Sequence, residues 1–314
     1  IFVDTGIASA TGLLDLETLQ WHPGILKFAG ITAEQLPELV SPKYTFTSDT
    51  VTEHLSIPAG TVIVAGGSDG GMANLGSGAT DQQTMAITIG TSGAARIIVD
   101  GIVTDPGMRI FCYHLKDNYY FTGGANNNGA VVLQWMKEML FATEGSFDDL
   151  FEHAATAGLE KDGPLFLPYI LGERAPIWNS NAKGVFFGLT INHSKSSMVR
   201  AAMEGVVFCL YSIGKILLEK RSVTAIQASG GFARSALWLQ ILADVFNIKV
   251  NVAASVESSA LGAVLLGKEA VNVDAVFEHK IAAVYEPSGD NHIIYQEKFA
   301  RFERIYELLK AEME

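Results

Sequence analysis

One carboxylate stands alone in a bed of small residues. Within residues 62–79, VIVAGGSDGGMANLGSGA, the β-type run Val62-Ile63-Val64-Ala65 empties into glycines, and Asp69 follows just before a small-residue helix candidate. Gly66, Gly67, Gly70 and Gly71 lack a Cβ, so the backbone can turn sharply and a bulky anion can approach it. A helix beginning near Gly70 would point its free N–H groups at the same spot. Two readings compete: a general base beside a phosphate, or an N-cap aspartate in a tight βα turn. Two further glycine-rich turns bear on that choice. Gly90-Thr91-Ser92-Gly93 offers hydroxyls beside backbone amides, although a plain β-hairpin turn has the same composition. Ser229-Gly230-Gly231-Phe232-Ala233-Arg234-Ser235 separates a strand from a helix, a geometry in which backbone approaches a ligand. One acid with several amide-rich turns suits phosphoryl transfer from a nucleotide to an alcohol. The acid accepts the hydroxyl proton while the turns and a magnesium ion hold the phosphates in line.

The elements that must position these groups are legible as alternating strand and helix patterns. Residues 85–89 and 94–99 read as a hairpin around the second turn, and 109–115 with 119–122 as another, closed by Lys116-Asp117-Asn118. Gly123-Gly124-Ala125 leads to Asn126-Asn127-Asn128-Gly129 and an apolar helix over 131–141. The asparagines are good cap material, and one cap suffices. Residues 163–188 are irregular, with Pro164, Pro168 and Pro176, and their Glu173–Arg174 pair reads as a solvated surface feature. A helix over 195–219 carries Val199, Ala202, Val206, Leu210, Ile213 and Leu217 at helical spacing and reads as core. A strand over 225–228, helix over 236–246, strand over 248–252 and small-residue helix over 258–268 follow. A charged amphipathic helix over 295–313 ends the chain. Ahead of Asp69 the pattern predicts a strand, a small-residue turn over 6–12, a second strand over 13–16, and helices over 23–29 and 33–36. A loop-rich passage marked by Pro37, Pro42 and Pro58 then leads to the central strand that ends near Asp69.

At 314 residues, with 48% hydrophobic content and 31 glycines, the chain is long enough for about two α/β domains with large cores. The sequence divides near residues 78–83. No apolar run approaches the roughly 18 residues that cross a bilayer, which predicts a protein without a membrane span. Cys112 and Cys209 lie far apart in apolar surroundings and read as reduced core residues in a cytoplasmic setting. A net charge of −12 argues against nucleic acid as the main partner, while amides and Mg²⁺ can still hold a phosphate. The chain starts at Ile1 in what looks like mid-domain structure, with no signal-peptide pattern, so it is expected to be a fragment.

No GxxxxGK[ST], HExxH or GxSxG motif is present, no GxGxxG opens a helix after a strand, and the seven histidines form no metal-spaced pair. Several motifs do recur in a familiar order. Gly67-Ser68-Asp69-Gly70, Ile89-Gly90-Thr91-Ser92-Gly93, Gly172-Glu173-Arg174-Ala175-Pro176 with Trp178, and Gly230 to Ser235 followed by Leu237-Trp238-Leu239-Gln240 resemble the ordered motifs of the FGGY carbohydrate kinases. SDGGMANLGSGA, AITIGTSGAAR and the asparagine run before Leu133-Gln134-Trp135 are most similar to the gluconate kinase branch.

That resemblance implies an α/β, actin-like and hexokinase-like (ribonuclease H-like) ATPase fold with two lobes and the site in the cleft. Residues 1–81 would be the remainder of an incomplete N-terminal sugar-binding lobe, and 82–314 the ATP-binding lobe. By position, Asp69 matches the family's catalytic base and, with Gly70, its substrate contact. Gly90, Thr91 and Ser92 match the loop at the ATP phosphates. Gly129 and Gln134 match further nucleotide contacts, and Gly230, Gly231 and Ser235 the turn beneath the adenosine. Residues 173–178 match a signature of interlobe or nucleotide-side support. The implied cofactors are ATP and Mg²⁺, with no metal ligand assigned, and a homodimer is left open. The family's N-terminal phosphate loop and most sugar-reading positions are missing from the chain. Gluconate is the favoured substrate, with xylulose, glycerol or another polyol next. An ATP-binding regulator that has lost catalysis, or an α/β scaffold without nucleotide, are the readings from other classes.

Overall fold

The computed structural model describes residues 1–47, 57–141, 146–254, 257–274 and 279–313. The chain opens with β1 (Phe2–Asp4) and a short helix α1 (Thr5–Ser9). The small residues expected to form a turn are helical here because the Asp4 carboxylate accepts from the Ile7 amide at 3.0 Å and caps them. A small hairpin, β2 (Leu14–Asp15) with β3 (Gln20–Trp21), follows. Next is α2 (Pro23–Ala29), with proline at its first turn, His22 as N-cap and Gly30 in the left-handed region at its end. β4 (Glu38–Val40) pairs parallel with β1, and β5 (Thr45–Thr47) pairs antiparallel with β6 (Val62–Val64). Residues 48–56 of the loop-rich passage lie outside the described residues. β6 was expected to be a central strand. It instead pairs with β5 in a two-stranded sheet of its own and delivers the chain to α3 (Asp69–Ser77).

The rest of the chain supplies β7 (Thr84–Ile89), β8 (Gly93–Val99), β9 (Phe111–Lys116), β10 (Tyr119–Asn126), α4 (Val131–Phe141), α5 (Phe147–Thr156), β11 (Leu165–Pro168) and β12 (Gly184–Phe187). It continues with α6 (Lys195–Lys220), β13 (Ala225–Ser229), α7 (Ala236–Phe246), β14 (Lys249–Ala253), α8 (Ser258–Ala270), β15 (Ile281–Tyr285) and α9 (Gly289–Leu309). Seven strands form one mixed sheet in the order β15-β14-β13-β7-β8-β10-β9. β14, β13 and β7 run parallel; the remaining pairs are antiparallel. Two tight hairpins, β7-β8 and β9-β10, alongside helix-connected parallel strands are what the alternation pattern requires. Several details differ from the sequence reading. α5 and β15 were not foreseen, β11 and β12 pair within the passage 163–188 read as irregular, and α9 starts at Gly289 rather than residue 295, capped by the Ser288 hydroxyl. β10 also runs straight through Gly123-Gly124, where a methyl on Gly123 would meet the Ala95 carbonyl at 2.1 Å.

The two faces of the sheet do different work. Met85, Ile87, Ile89, Ala95, Ile97 and Val99 point into the main core, where α6 is buried along nearly its whole length. α6 is the one helix among the described residues that is long and apolar enough to cross a membrane, so the expectation of no such run does not hold. Its apolar window is 83% buried within the fold, as the core helix of a folded domain would be. On the opposite face Ile98, Leu115 and Phe121 pack with Met72, Leu75 and Leu266, seating α3 and α8 on the sheet. This second face sets the position of Asp69.

Candidate functional site

Asp69 is not the helix cap. The Ser68 hydroxyl accepts from the Gly71 amide at 3.3 Å, and Asp69 occupies the first helical position of α3. Its carboxylate is exposed and accepts no hydrogen bond among the described residues. An acid in the first turn is favoured by the helix dipole.

The turn after β7 sits on the N-terminus of α4. The Ala130 amide donates to the Gly90 carbonyl at 2.7 Å, and the Gly129 and Val131 amides donate to the Thr91 carbonyl at 3.1 and 3.3 Å. With its carbonyls turned inward, the loop leaves Thr91 and Ser92 exposed, their hydroxyls without a partner among the described residues. Gly129 is the seat of this turn: a methyl there would lie 2.6 Å from the Gly90 and Ser92 carbonyl oxygens. Gln134 lies farther along α4, where its amide donates to Glu138 Oε1 at 2.5 Å.

The third turn closes over the same strand end. Gly230 has φ 99°, and a methyl on it would meet the Ile89 carbonyl at 2.4 Å, so a larger residue fails there on both conformation and space. Gly231 is exposed and lines a cavity of about 150 Å³ whose apolar walls are Ala130, Leu133, Phe147, Phe151 and Phe232. Ser235 is 3% exposed, and its hydroxyl accepts from the Trp238 amide at 3.3 Å, which caps α7 and fixes the end of the turn. Structure therefore brings Gly90, Thr91, Ser92, Gly129, Gly230 and Gly231 around one strand end, with Gln134 and Ser235 set back from it. Phe147 and Phe151 were not foreseen. Their spacing of four on an amphipathic helix was the available signal, but it looks the same for any core face.

The asparagine run does not cap α4. The buried Glu173 carboxylate accepts from the Asn127 amide at 2.5 Å, the Arg174 amide at 2.8 Å and Asn128 Nδ2 at 3.1 Å. Asn128 Nδ2 also donates to the Gly172 carbonyl at 2.7 Å, and Arg174 Nη2 to the Asn126 carbonyl at 2.8 Å. Glu173 is 3% exposed, so the expected solvated surface pair is instead a buried latch. Burial pushes its carboxyl up while the donated hydrogen bonds pull it down. The latch fixes the end of β10 just ahead of Gly129. Glu173→Ala is expected to strand several buried donors and lower stability by about 3 kcal/mol, read as a fall in the urea midpoint.

A second residue without a sequence signal stands beneath Asp69. Arg96 on β8 is 9% exposed; its Nε donates to Asn74 Oδ1 at 3.0 Å and its Nη2 to Thr88 Oγ1 at 3.1 Å. Thr88 Oγ1 and Ser229 Oγ are 3.0 Å apart, joining β7 to β13. Burial brings the Arg96 guanidinium down to about 10, with the nearby Asp69 charge acting the other way.

Residues 85–270 match the C-terminal domain of the FGGY family of carbohydrate kinases, and residues 1–76 match its N-terminal domain. A gluconokinase of Bacillus subtilis is 43% identical over 278 residues, covering 84% of this chain and 54% of the relative. A solved gluconate kinase from Lactobacillus acidophilus superposes with TM-score 0.94 at 35% identity, covering 99% of this chain and 65% of that one. A ligand-bound xylulose kinase from the same organism gives the same TM-score, identity and coverage. The chain thus spans about half to two thirds of the length of these relatives. On the sheet, the ordered turns and these matches, the chain has the actin-like ATPase fold and belongs to the FGGY family of carbohydrate kinases.

Proposed function

We propose that the protein carrying this chain transfers the terminal phosphoryl group of ATP to a hydroxyl of a sugar acid, with gluconate the favoured acceptor and Asp69 the general base. The observation that carries this reading is the exposed, unbonded Asp69 carboxylate on a capped helix, with the exposed Thr91–Ser92 turn and the Gly230–Gly231 turn gathered at one strand end of the same sheet. Asp69 takes the proton of the acceptor hydroxyl; the freed oxygen bonds to the terminal phosphorus; the bond from that phosphorus to the bridging oxygen breaks, and ADP leaves with its electron pair. Gly70, without a side chain, leaves room for the acceptor beside the base.

The residues present fit a nucleotide. The cavity beside Gly231 has apolar walls on the scale of a flat purine, and the Thr91 and Ser92 hydroxyls are free to bind phosphate oxygens. Gly129 and Ser235 support this site by seating the phosphate turn and capping α7, while Gln134 reaches a nucleotide only by leaving Glu138. No group of three His, Cys, Asp or Glu side chains converges among the described residues. Mg²⁺, when bound, supplies charge neutralisation on the phosphates, and Thr91 and Ser92 are the side chains nearest to that role. Residues 1–81 then belong to the sugar-binding lobe and 82–314 to the ATP-binding lobe of a cytoplasmic kinase, for which a homodimer is an open assembly.

Gluconate is favoured by the relative at 43% identity, and xylulose is the runner-up because a xylulose kinase matches the structure equally well. Phe151→Ala in the full-length protein is expected to raise KM for ATP by about tenfold, from the loss of one aromatic wall, with KM for the acceptor unchanged. Equal KM values for ATP in variant and parent would remove the cavity from the nucleotide site.

A further inference from the structure

The cluster beneath Asp69 has more donors than acceptors. Arg96 donates from Nε and Nη2 to neutral partners, and no carboxylate lies within ion-pair distance of it among the described residues. Neutral acceptors satisfy hydrogen bonds but leave the positive charge without an ion pair, a costly state for a group this buried. Nη1 donates to nothing among the described residues, and it is not one of the fully buried polar atoms without a partner, so it keeps an outlet. Asn74 Nδ2 in the same cluster is fully buried and unpartnered. Nη1 lies beside the turn that carries the base: a methyl on Gly70 would lie 3.2 Å from it, and the nearby Asp69 charge favours the guanidinium. The other end of the cluster, Thr88, stands two residues before Gly90, about 7 Å along an extended strand from the phosphate turn. Ser229 stands directly before Gly230.

We propose that Arg96 is a cation held in the cleft floor for an oxyanion of the reacting molecules, bound through Nη1 between Gly70 and the phosphate turn. This rests on the phosphoryl-transfer reading of the site. Two groups of that chemistry reach the place: the transferring phosphoryl group, from the Thr88 side, and the carboxylate of a sugar acid, from the Gly70 side. Asn74 and Thr88 hold the guanidinium plane fixed, so the interaction is preorganised when the anion arrives.

The test uses the full-length protein, its Arg96→Gln and Arg96→Lys variants, and steady-state kinetics with gluconate and with xylulose as acceptors. Binding of inorganic phosphate and of gluconate is measured by calorimetry alongside. Loss of one charge-assisted contact is expected to cost Arg96→Gln about 10- to 100-fold, with partial recovery in Arg96→Lys. A fall in kcat with both acceptors, with weaker phosphate binding, supports the proposal and assigns the phosphoryl group. A rise in KM and Kd for gluconate alone supports it and assigns the carboxylate. If Arg96→Gln does not fold, Arg96→Lys serves instead, since it keeps the charge but loses the forked guanidinium that Asn74 and Thr88 hold in place. A folded Arg96→Gln or Arg96→Lys with unchanged kcat, KM and anion affinities overturns the proposal and makes Arg96 a structural strut. Should the parent phosphorylate neither acceptor, the kinase reading fails, and the calorimetric difference in phosphate affinity still decides the role of Arg96.

Discussion

In the full-length protein, Asp69→Asn is expected to lower kcat by about 10²- to 10⁴-fold while leaving the affinity for ATP within about twofold. The substitution removes the proton acceptor and keeps the shape. Ser68, not Asp69, caps α3, so the helix keeps its N-terminal hydrogen bond and little stability is at stake. The nucleotide turns approach from β7 and β13 and share no hydrogen bond with the Asp69 side chain among the described residues, so ATP binding is insulated from the change. Steady-state kinetics with nucleotide titration separates the two quantities. A variant with close to full kcat would remove Asp69 from the role of base; a large loss of ATP affinity would make it part of the nucleotide site instead.

Gly262→Val is expected to cost about 3 kcal/mol or more in unfolding free energy and to lower activity along with it. α3 and α8 cross at backbone contact. A methyl on Gly262 would lie 1.9 Å from the Met72 carbonyl oxygen, and one on Gly76 would lie 1.7 Å from the Ser258 carbonyl oxygen. Neither obstacle is the end of a flexible side chain, so a larger residue must push the helices apart. Because α3 carries Asp69 on its first turn and Asn74 beneath, such a shift also moves the base relative to Arg96 and the phosphate turn. Gly267 on the same face-to-face helix pair provides the contrast. It has open space around it, so Gly267→Ala is expected to be neutral or to stabilise by about 0.5–1 kcal/mol. Urea unfolding of the two variants reads the difference directly; equal midpoints would mean that the crossing tolerates separation.

What could be read from residues alone was whatever is local. The alternation in 85–99 and the apolar spacing in α6 place their elements because burial on one face, or all round, leaves a periodic trace. The three glycine-rich turns are visible for the same reason: a backbone that must pass close to another chain segment excludes side chains, as Gly129 and Gly230 show against the Gly90 and Ile89 carbonyls. Long-range pairings leave no such trace. Arg96 looks like any charged residue in a strand until the register sets it opposite Ala86 and Gly123, with the bare face of Gly123 beside it and α3 above. Glu173 reads as surface until Asn127 and Asn128 fold back onto it. Local caps were not legible: Asp4 turns a run of small residues into a helix, and Ser68, not Asp69, caps α3, which removes the cap reading of that acid.

The central claim is that this site moves a phosphoryl group from ATP to a sugar acid, and the acceptor dependence of ADP formation by the full-length protein tests it most directly. With Mg·ATP in excess, kcat/KM is compared for gluconate, xylulose and glycerol. The account predicts ADP release that requires an acceptor and is fastest with gluconate, with one phosphate appearing on the acid for each ADP formed. Faster turnover of xylulose would contradict the substrate assignment, and ADP release indifferent to every acceptor would contradict the kinase reading itself.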